Sequence, residues 1–394
     1  MRIFLVVVYY LPSPKSSATL FHDLGRELSM RGHTISIITT SDSIDAPWSL
    51  SLEDGMEVLR IRSGKIDGSN LIIRFINEFF LSFVILFRGR SFFKSRSCDL
   101  VIWYSPSIFF SHLIYRLKVK YNCGTYLVLR DIFPQWALDT GVLREGFVFR
   151  LLKYFEVQQY KYADVVGVQS PKNMNYFKEN DLFDELKLEV LYNWFSLRIK
   201  DLPERDYRAE LNLSDKVVFF YGGNFGVAQD LDNLVNLAKS LSYFDTPRKL
   251  LVGDGSESIR LKKLILDLEL KNIIIMDSVP QDEYFGILSQ MDVGLISLDR
   301  KFKTHNFPGK MLGYMYYSKP ILASINAGND LQDIIEDYNV GLVCVNGDDE
   351  KLFSNAMKLV NDIDVRRVQG ENGNKLLHDL FSVKSAANQI LSHF

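Results

Sequence analysis

Cysteine is scarce in this chain of 394 residues, which contains three: Cys98, Cys123 and Cys344. They lie far apart in the sequence and form no Cys-x-x-Cys pair, so we expect neither a disulfide framework nor a cysteine zinc site. Such cysteine usage is typical of a reducing compartment, and we therefore expect a cytoplasmic protein.

The chain also has little net charge, because its acidic and basic side chains nearly balance, with a formal net charge of -2 at pH 7. This balance gives no general reason to expect binding to nucleic acid. A hydrophobic share of 47% in a chain of this length is enough to bury two sizeable cores. The composition therefore favours a globular protein with two domains.

Long hydrophobic runs are missing as well. No segment reaches the roughly 20 apolar residues that a helix needs to cross a bilayer. The opening Met1-Arg2 runs directly into an apolar strand, and the aromatic, proline-bearing end of that strand has no small-residue cleavage site. A signal peptide is therefore not expected.

The nearest approach to a long apolar run is residues 71–87, which contain charged side chains and lead into the cation-rich residues 88–96. Two interpretations stay open. One is an interfacial helix on an anionic membrane, over 71–96, and the other is a domain helix with a solvated basic end. The aromatic pair Phe92 and Phe93 favours the membrane interpretation.

The second half of the chain repeats one design, in which a short apolar strand, a glycine-rich turn and a helix follow each other. Residues 217–221 precede Gly222-Gly223-Asn224-Phe225-Gly226, and residues 250–252 precede Gly253-Asp254-Gly255. Apolar strands that alternate with helices predict a parallel sheet covered on both faces, with ligands bound beyond the carboxyl ends of the strands. The other predicted strands of this half are 273–276 and 293–298.

The first half shows the same alternation. Residues 2–10 predict a buried opening strand, a loop follows at 11–18, and a helix is expected near 19–31. The other predicted strands of this half are 34–39, 100–104, 125–129, 164–168 and 188–192. We therefore predict the α/β class, with two Rossmann-like domains that face each other across a cleft, and we expect this cleft to be the active site.

Residues 304–310, Thr-His-Asn-Phe-Pro-Gly-Lys, place backbone donors and a cation in front of a predicted helix at 310–317. Pro308 favours the start of that helix. Free N–H groups at this end, with Gly309 allowing close approach and Lys310 adding charge, would bind the oxygens of a diphosphate. The alternative is a Pro-Gly turn that caps an ordinary helix.

Six segments together carry a family resemblance that covers nearly the whole chain. They are the opening strand with its proline-bearing loop, Arg130-Asp131-Ile132-Phe133-Pro134, Leu191-Tyr192-Asn193-Trp194, the stretch from Tyr221 to Gly226, the stretch from Val252 to Gly255, and Phe307-Pro308-Gly309-Lys310 through Leu322. In their order and spacing they resemble glycosyltransferase family 4. Within that family the chain is most similar to bacterial O-antigen and capsule enzymes of the N-acetylfucosamine transferase-like group.

The resemblance implies the GT-B fold and transfer of a sugar, such as an N-acetylated hexosamine or deoxyhexosamine, from a nucleotide-sugar donor. UDP is the expected nucleotide, with retention at the anomeric carbon and no required metal or other cofactor. The implied acceptor is an undecaprenyl-diphosphate-linked saccharide of O-antigen (lipopolysaccharide) or capsule synthesis, met at the inner face of the cytoplasmic membrane. The acceptor domain would span 1–195 and the donor domain 205–377, with a final helix within 378–394 crossing back onto the first domain.

Three residues are predicted to be catalytic. Asp131 follows a buried strand and would orient the sugar or acceptor, unless it only caps the turn that follows. Arg130 would bind phosphate or pair with a buried carboxylate. Lys310 would stabilise the charge of the leaving diphosphate.

The predicted donor-binding residues follow the strands of the second half or precede the helix at 310. They are Gly222, Gly223, Asn224, Gly226, Gln229, Gly253, Asp254, His305, Asn306, Gly309, Lys310, Gly328 and Asn329. His305 would contact the diphosphate or lie exposed in its loop. We predict no metal site, because the carboxylates of Asp230-Leu231-Asp232 begin a helix, where the helix dipole alone favours them.

The chain departs from the family pattern at several positions. The two family glutamates align with His305 and Gly313, and the cations that neutralise the diphosphate align with Asn224 and Gln229. The family histidine of the first domain, near the reacting sugar, aligns with Arg130. We interpret these changes as features of a subfamily. Two other functions stay open: a GT-B nucleotide-sugar epimerase, which would need acid–base carboxylates, and a non-catalytic scaffold or partner subunit.

Overall fold

The computed structural model describes residues 1–13, 15–66, 71–105, 107–139, 141–179, 186–196, 202, 204–301 and 307–394. The chain divides into two compact units. The first contains Met1–Trp194 together with Val383–Phe394, and the second contains Phe195–Ser382.

The first unit is built on a sheet whose described strands number eight. Its strands are β1 Arg2–Val6, β2 Thr34–Ser41, β3 Trp48–Glu53, β4 Met56–Arg62, β5 Leu100–Ser105, β6 Gly124–Leu129, β7 Val165–Val168 and β8 Lys187–Val190. Across the sheet they are ordered β3-β4-β2-β1-β5-β6-β7-β8, and all neighbours are parallel except the antiparallel pair β3 and β4. The order reverses between β1 and β5, which is where ligands bind on doubly wound sheets.

Helices cover both faces of this sheet. They are α1 Ser16–Met30, α2 Leu71–Phe79, α3 Leu81–Arg88, α4 Arg90–Ser95, α5 Ser111–Tyr121, α6 Gln135–Asp139, α7 Phe147–Lys161 and α8 Asn173–Lys178. Successive residues of β1 point to opposite faces, so Ile3 and Leu5 belong to one core cluster while Phe4 and Val6 belong to another. Burial on both faces explains why this strand is a continuous apolar run.

The second unit contains a fully parallel sheet, with six strands among the described residues, ordered β11-β10-β9-β12-β13-β14. Its elements are α9 Tyr207–Glu210, β9 Val217–Asn224, α10 Asp232–Ser240, β10 Pro247–Asp254, α11 Ser258–Asp267, β11 Ile273–Met276, α12 Gln281–Ser289, β12 Val293–Ser297, α13 Lys310–Tyr316, β13 Ile321–Ile325, α14 Asp330–Asp337, β14 Gly341–Val345, α15 Asp349–Asn361 and α16 Ile363–Leu380. Here the strand order reverses between β9 and β12.

The last helix, α17 Val383–Leu391, packs into the first unit. Ala387 and Ile390 are fully buried in the same core cluster as Trp194. Arg31 also donates a hydrogen bond of 2.7 Å to the side-chain oxygen of Asn388.

The predicted α/β class with two Rossmann-like sheets is confirmed. The sequence interpretation missed the β3–β4 hairpin, because its strands follow a polar stretch and β3 alternates small polar and apolar residues. It also missed β14. Element ends shift by a few residues, and β9 continues through Gly222 and Gly223 to Asn224 instead of ending at Tyr221.

The segment 71–96 is three short helices, α2 to α4, and not one. The expectation that Phe92 and Phe93 favour a membrane surface is wrong, because their side chains are buried in the core against Phe4. Six other large apolar side chains of this segment are exposed: Ile73, Phe75, Ile76, Phe80, Phe83 and Phe87. The described helices include none that is both long and apolar enough to span a bilayer.

Candidate functional site

Glycines bring the backbones of β9 and β10 close together at their carboxyl ends. The Cβ of any side chain at Gly253 would overlap the carbonyl oxygen of Gly223, and one at Gly222 would overlap the ring of Tyr284. Packing alone therefore requires glycine at 222 and 253, two of the predicted donor-binding positions.

Gly223 differs, because the position where a Cβ would be faces the side-chain amine of Lys310. Its φ of +132° favours glycine, and a Cβ there would lie 3.6 Å from the Nζ of Lys310. Lys310 is the first residue of α13, and its Nζ lies 3.5 Å from the centre of the Tyr221 ring. The structure thus brings together Gly223 and Lys310, two residues that the sequence predicted to bind the donor.

The environment of Lys310 makes its charge sensitive to what binds there. Burial lowers the pKa of Lys310 to about 7, because desolvation disfavours the ammonium form. The face of the Tyr221 ring attracts the cation and opposes that effect. An anion beside Nζ would favour the charged form further, so an anionic ligand and a proton would bind to this site together.

Tyr314 fixes α13 against the sheet. Its buried hydroxyl donates a hydrogen bond of 3.0 Å to the carbonyl oxygen of Leu295 and accepts one of 3.5 Å from the Gly222 N–H. The Tyr221 hydroxyl donates to the carbonyl oxygen of Asn224 at 2.8 Å. Sequence reasoning missed both tyrosines. The available signals were the spacing of Tyr314, four residues after Lys310, and the place of Tyr221 directly before the glycine turn.

Asn224 and Gln229 contact each other at this edge of the sheet. The Asn224 side-chain amide donates a hydrogen bond of 3.1 Å to the Gln229 side-chain oxygen. Gly226 leaves room for the pair, since a Cβ there would lie 2.6 Å from the Asn224 Nδ2. The two positions that align with family cations therefore form a neutral polar pair.

Asp254 stabilises the turn before α11. Its carboxylate accepts hydrogen bonds of 2.8 Å from the Ser258 hydroxyl and 2.7 Å from the Gly255 N–H. These bonds lower the pKa of Asp254, with the Ser258 bond the larger cause. Asp254 thus shapes the loop that follows β10.

The loop after β13 also ends in a helix cap. Asn329 directly precedes α14, and its side-chain oxygen accepts a hydrogen bond of 3.0 Å from the Leu331 N–H. Its amide group donates at 2.9 Å to the side-chain oxygen of Asn326. The Asn329 side chain therefore shapes this loop, while Gly328 is exposed beside it with a φ of +72°.

Two predicted donor-binding residues, His305 and Asn306, lie outside the described residues. Gly309 is described and exposed, directly before α13, and no other group of the described residues lies within 4 Å of the position where its Cβ would be.

The two carboxylates of Asp230-Leu231-Asp232, where we predicted no metal site, have different partners. Asp230 accepts a hydrogen bond of 2.8 Å from the Asn346 side chain, and Asp232 forms an ion pair of 2.8 Å with Arg260. In the part of the chain that the structure describes, no cluster of His, Cys, Asp and Glu side chains could hold a metal ion.

In the first unit, Arg130 is buried and held in place by backbone carbonyls. Its guanidinium donates a hydrogen bond of 2.9 Å to the Leu191 carbonyl oxygen and lies 5.5 Å from the Trp194 ring centre. Burial lowers the pKa of Arg130 to about 10. Arg130 thereby ties the loop after β6 to the segment after β8.

Asp131, the next residue, lines a cavity of about 670 Å³ inside the first unit. Burial raises the pKa of the Asp131 carboxyl, and the neighbouring Arg130 opposes this effect. The walls of the cavity are mostly apolar and come from the end of β1, the start of α1, and α2, α6 and α7. The sequence predicted Asp131 but not the cavity.

Comparison with known proteins identifies the second unit. Residues 203–376 match the family model described as glycosyl transferases group 1. Residues 203–376 therefore belong to the group 1 glycosyltransferases, and the protein is a glycosyltransferase. The matched residues include Gly223 and Lys310, and so contain the cation site at the edge of the second sheet.

The glycosyltransferase has relatives among bacterial proteins. It is 24% identical over 352 residues to the probable glycosyltransferase WbjE of Pseudomonas aeruginosa, which covers 87% of this chain and 85% of WbjE. It is 25% identical over 258 residues to the putative colanic acid biosynthesis glycosyl transferase WcaI of Escherichia coli K12, covering 63% of this chain and 62% of WcaI.

Among solved structures, Anabaena HepE in complex with UDP matches the glycosyltransferase over 100% of this chain and 99% of HepE, with a TM-score of 0.69 and 13% identity. At this identity the likeness concerns the fold. It confirms the GT-B class for the chain.

Proposed function

We propose that this glycosyltransferase moves a sugar from a UDP-sugar to an undecaprenyl-diphosphate-linked saccharide in the synthesis of a bacterial surface polysaccharide, O-antigen or capsule. The sugar would be an N-acetylated hexosamine or deoxyhexosamine, transferred with retention of anomeric configuration and without a required metal. The observation that carries the proposal is the position of the Lys310 Nζ, 3.6 Å from where a Cβ of Gly223 would be.

The chemistry of such a transfer explains this arrangement. As the bond from the sugar to the diphosphate breaks, negative charge develops on the leaving phosphate oxygens. Lys310 would take up a proton and stabilise that charge, and the exposed backbone at Gly309 and Gly223 allows close approach. In the retaining reaction that we propose, the leaving phosphate itself accepts the proton of the acceptor hydroxyl on the same face of the sugar.

The comparisons support individual parts of the proposal. The structural neighbour HepE is described in complex with UDP, which supports a UDP-linked donor. The relative WcaI is named for colanic acid biosynthesis, which supports a role in surface polysaccharide. The family match favours transfer over the two alternatives, a nucleotide-sugar epimerase and a non-catalytic scaffold.

A thermal shift panel tests the donor. UDP-, GDP-, ADP- and TDP-sugars are compared, each without metal and with magnesium. We expect stabilisation by UDP-sugars without metal, followed by slow release of UDP when the protein hydrolyses the donor in the absence of acceptor. Stabilisation by a different nucleotide would refute the UDP assignment, and a strict need for magnesium would refute metal independence.

Donor binding should depend on pH through Lys310. Because its pKa is about 7 in the free protein and rises when a diphosphate binds, binding above pH 7 requires uptake of a proton. We expect the dissociation constant of UDP-glucose, used as probe, to be constant below pH 7 and to rise by up to about tenfold per pH unit above it. Calorimetry in buffers of different ionisation enthalpy should detect the proton uptake.

The Lys310→Arg variant is the matched control for this prediction, because arginine stays charged throughout the range. Its dissociation constant should vary little between pH 6 and pH 9. If the dissociation constant rises equally with pH in wild type and variant, a group other than Lys310 causes the pH dependence.

We also propose that the protein is cytoplasmic and binds the inner face of the cytoplasmic membrane through residues 71–96. The exposed aromatic side chains Phe80, Phe83 and Phe87 support this proposal, since apolar groups beside cations suit a lipid surface. The cations contribute unequally. Arg96 forms an ion pair of 2.6 Å with Glu57 and Arg88 donates to a backbone carbonyl, whereas Lys94 is exposed.

The aromatic side chains should therefore matter more than Arg88 and Arg96 for membrane binding. The Phe80→Asp/Phe87→Asp variant changes side chains that are 52% and 71% exposed, so the fold should be retained. We expect at least about tenfold weaker partitioning into vesicles that contain anionic lipid, measured by flotation. Leu52→Asp, at a 74% exposed position on β3, adds one such charge elsewhere and should bind as wild type.

A further inference from the structure

The cavity in the first unit has the walls of a site for an apolar ligand. Its volume of about 670 Å³ lies in the range of ordinary small-molecule sites. Its lining is dominated by aliphatic and aromatic side chains from several elements. Among them are Val7, Phe109, Phe133, Ala137, Leu143 and Leu152. Most of the wall area is apolar, so the walls would desolvate a hydrocarbon chain.

Part of the rim of the cavity is apolar as well, and polar side chains form the rest. Phe75, Trp136, Val142 and Val148 line the cavity and are at the same time exposed, Val142 to 71% and Val148 to 55%. Polar side chains usually surround the mouth of a site that takes its ligand from water. An exposed apolar rim instead suits entry of an apolar chain from a lipid phase.

The rim joins two helices that both carry exposed apolar groups. Phe79 of α2 packs against Phe155 of α7, with ring centres 5.5 Å apart, and both rings contact Phe109. On α7, Phe147 is 82% exposed. The exposed apolar surface therefore extends beyond residues 71–96 onto the start of α7, a segment that the sequence did not single out.

Charged groups occur at the same cavity. Lys15 and Arg74 line it together with Asp131 and Glu78. Arg74 forms an ion pair of 2.8 Å with Glu78, and the Lys15 Nζ lies 5.6 Å from the ring centre of Tyr9, which also lines the cavity. Apolar walls with cations among them match an amphiphile that has a hydrocarbon chain and an anionic diphosphate head.

We infer that this cavity holds the first part of the lipid chain of a prenyl-diphosphate-linked acceptor, which enters from the bilayer between α2 and α7. The inference rests on the proposed function, and it adds the location of the lipid and a second membrane-facing segment, the start of α7. The lipid chain would fill the apolar part of the cavity, and the diphosphate would lie near Lys15 and Arg74.

Binding of farnesyl diphosphate, a short prenyl diphosphate used below its critical micelle concentration, tests the inference in the full chain. We expect saturable binding that changes tryptophan fluorescence, since Trp136 is on the rim. Inorganic diphosphate should bind at least about tenfold more weakly, because it lacks the hydrocarbon that the cavity desolvates. Equal binding of the two probes would overturn the inference.

Two variants locate the probe. Val148→Asp changes an exposed rim residue and should weaken farnesyl diphosphate binding by about tenfold or more, while Leu52→Asp, also exposed, should leave it unchanged. Phe147→Asp, which lies outside the cavity lining, should weaken vesicle flotation but not binding of the soluble probe. Wild-type binding by Val148→Asp would overturn the inference.

Thermal shift with a UDP-sugar separates this inference from the proposed function. If the UDP-sugar stabilises wild type and Val148→Asp equally, and the variant alone loses farnesyl diphosphate, both proposals are supported. If the UDP-sugar binds but farnesyl diphosphate does not bind wild type, the cavity inference fails and the donor proposal stands. If no nucleotide sugar binds while farnesyl diphosphate does, the donor proposal fails.

Discussion

Lys310→Ala should lower kcat for sugar transfer by about 10²–10³-fold, the loss typical of removing one preorganised group that stabilises transition-state charge. The expectation follows from the position of the Lys310 Nζ beside Gly223, at the carboxyl edge of the second sheet. Initial rates with saturating donor and acceptor, with KM determined separately, measure this effect. Wild-type kcat in the variant would contradict the role of Lys310.

The variant should nevertheless fold at least as well as wild type. The pKa of Lys310 is lower in the folded protein than in the unfolded chain, so a protonated Lys310 lowers the free energy of unfolding. This loss of stability grows as pH falls from about 10.5 towards 7. Removing the amine removes that cost. The Tm of Lys310→Ala relative to wild type should therefore be higher at pH 6 than at pH 9.

Two further variants separate charge from other effects in the same assay. Lys310→Arg should retain part of the activity, because charge is kept while the geometry changes. Lys239→Ala removes an exposed lysine in the last turn of α10 and should leave kcat unchanged. A comparable loss in Lys239→Ala would point to a general charge effect.

Gly253→Ala should strongly destabilise the second unit. A methyl group at this position would overlap the carbonyl oxygen of Gly223 on the neighbouring strand, and a backbone atom held in strand pairing has little freedom to move. Overpacking of this kind costs about 1–3 kcal/mol, occasionally more, and we expect the upper end because backbone must shift. Urea unfolding followed by circular dichroism measures the loss.

Gly309→Ala is the matched glycine variant, with a different expected result. Gly309 has a helical φ of -57°, and none of the described residues crowds its Cβ position, so alanine there should leave stability unchanged or raise it by up to about 1 kcal/mol. A methyl group beside the proposed diphosphate should nevertheless weaken binding of UDP-sugars. Equal stability of the two alanine variants would contradict the packing explanation. Undiminished binding of UDP-sugars by Gly309→Ala would show that the diphosphate does not bind beside Gly309.

Much of the second sheet could be predicted from the sequence. Strand β11 lies where the apolar segment 273–276 predicted it, and α13 begins at Lys310 as Pro308 and Gly309 indicated. These signals are local, because an apolar run that is buried on both faces and a helix start each depend on a few neighbouring residues.

Long-range contacts could not be predicted in the same way. Phe92 and Phe83 both lie within residues 71–96, yet Phe92 is buried against Phe4 while Phe83 is exposed. The sequence suggested phosphate or a buried carboxylate as partners of Arg130, and it did not indicate the Leu191 carbonyl oxygen, to which the guanidinium donates a hydrogen bond. Composition and periodicity do not specify such partners, since the partners are distant in the sequence.

By itself the sequence determined the α/β class, the alternation of strands and helices, and the placement of glycines and Lys310 at the ends of strands and the start of a helix. The tertiary structure alone decided that the Lys310 amine lies on the ring of Tyr221, which is 89 positions earlier in the numbering, and that Asp131 lines an apolar cavity. The physical reason is that pKa values, cavities and exposed surfaces arise from burial among side chains that folding brings together, and no local pattern records which side chains those are.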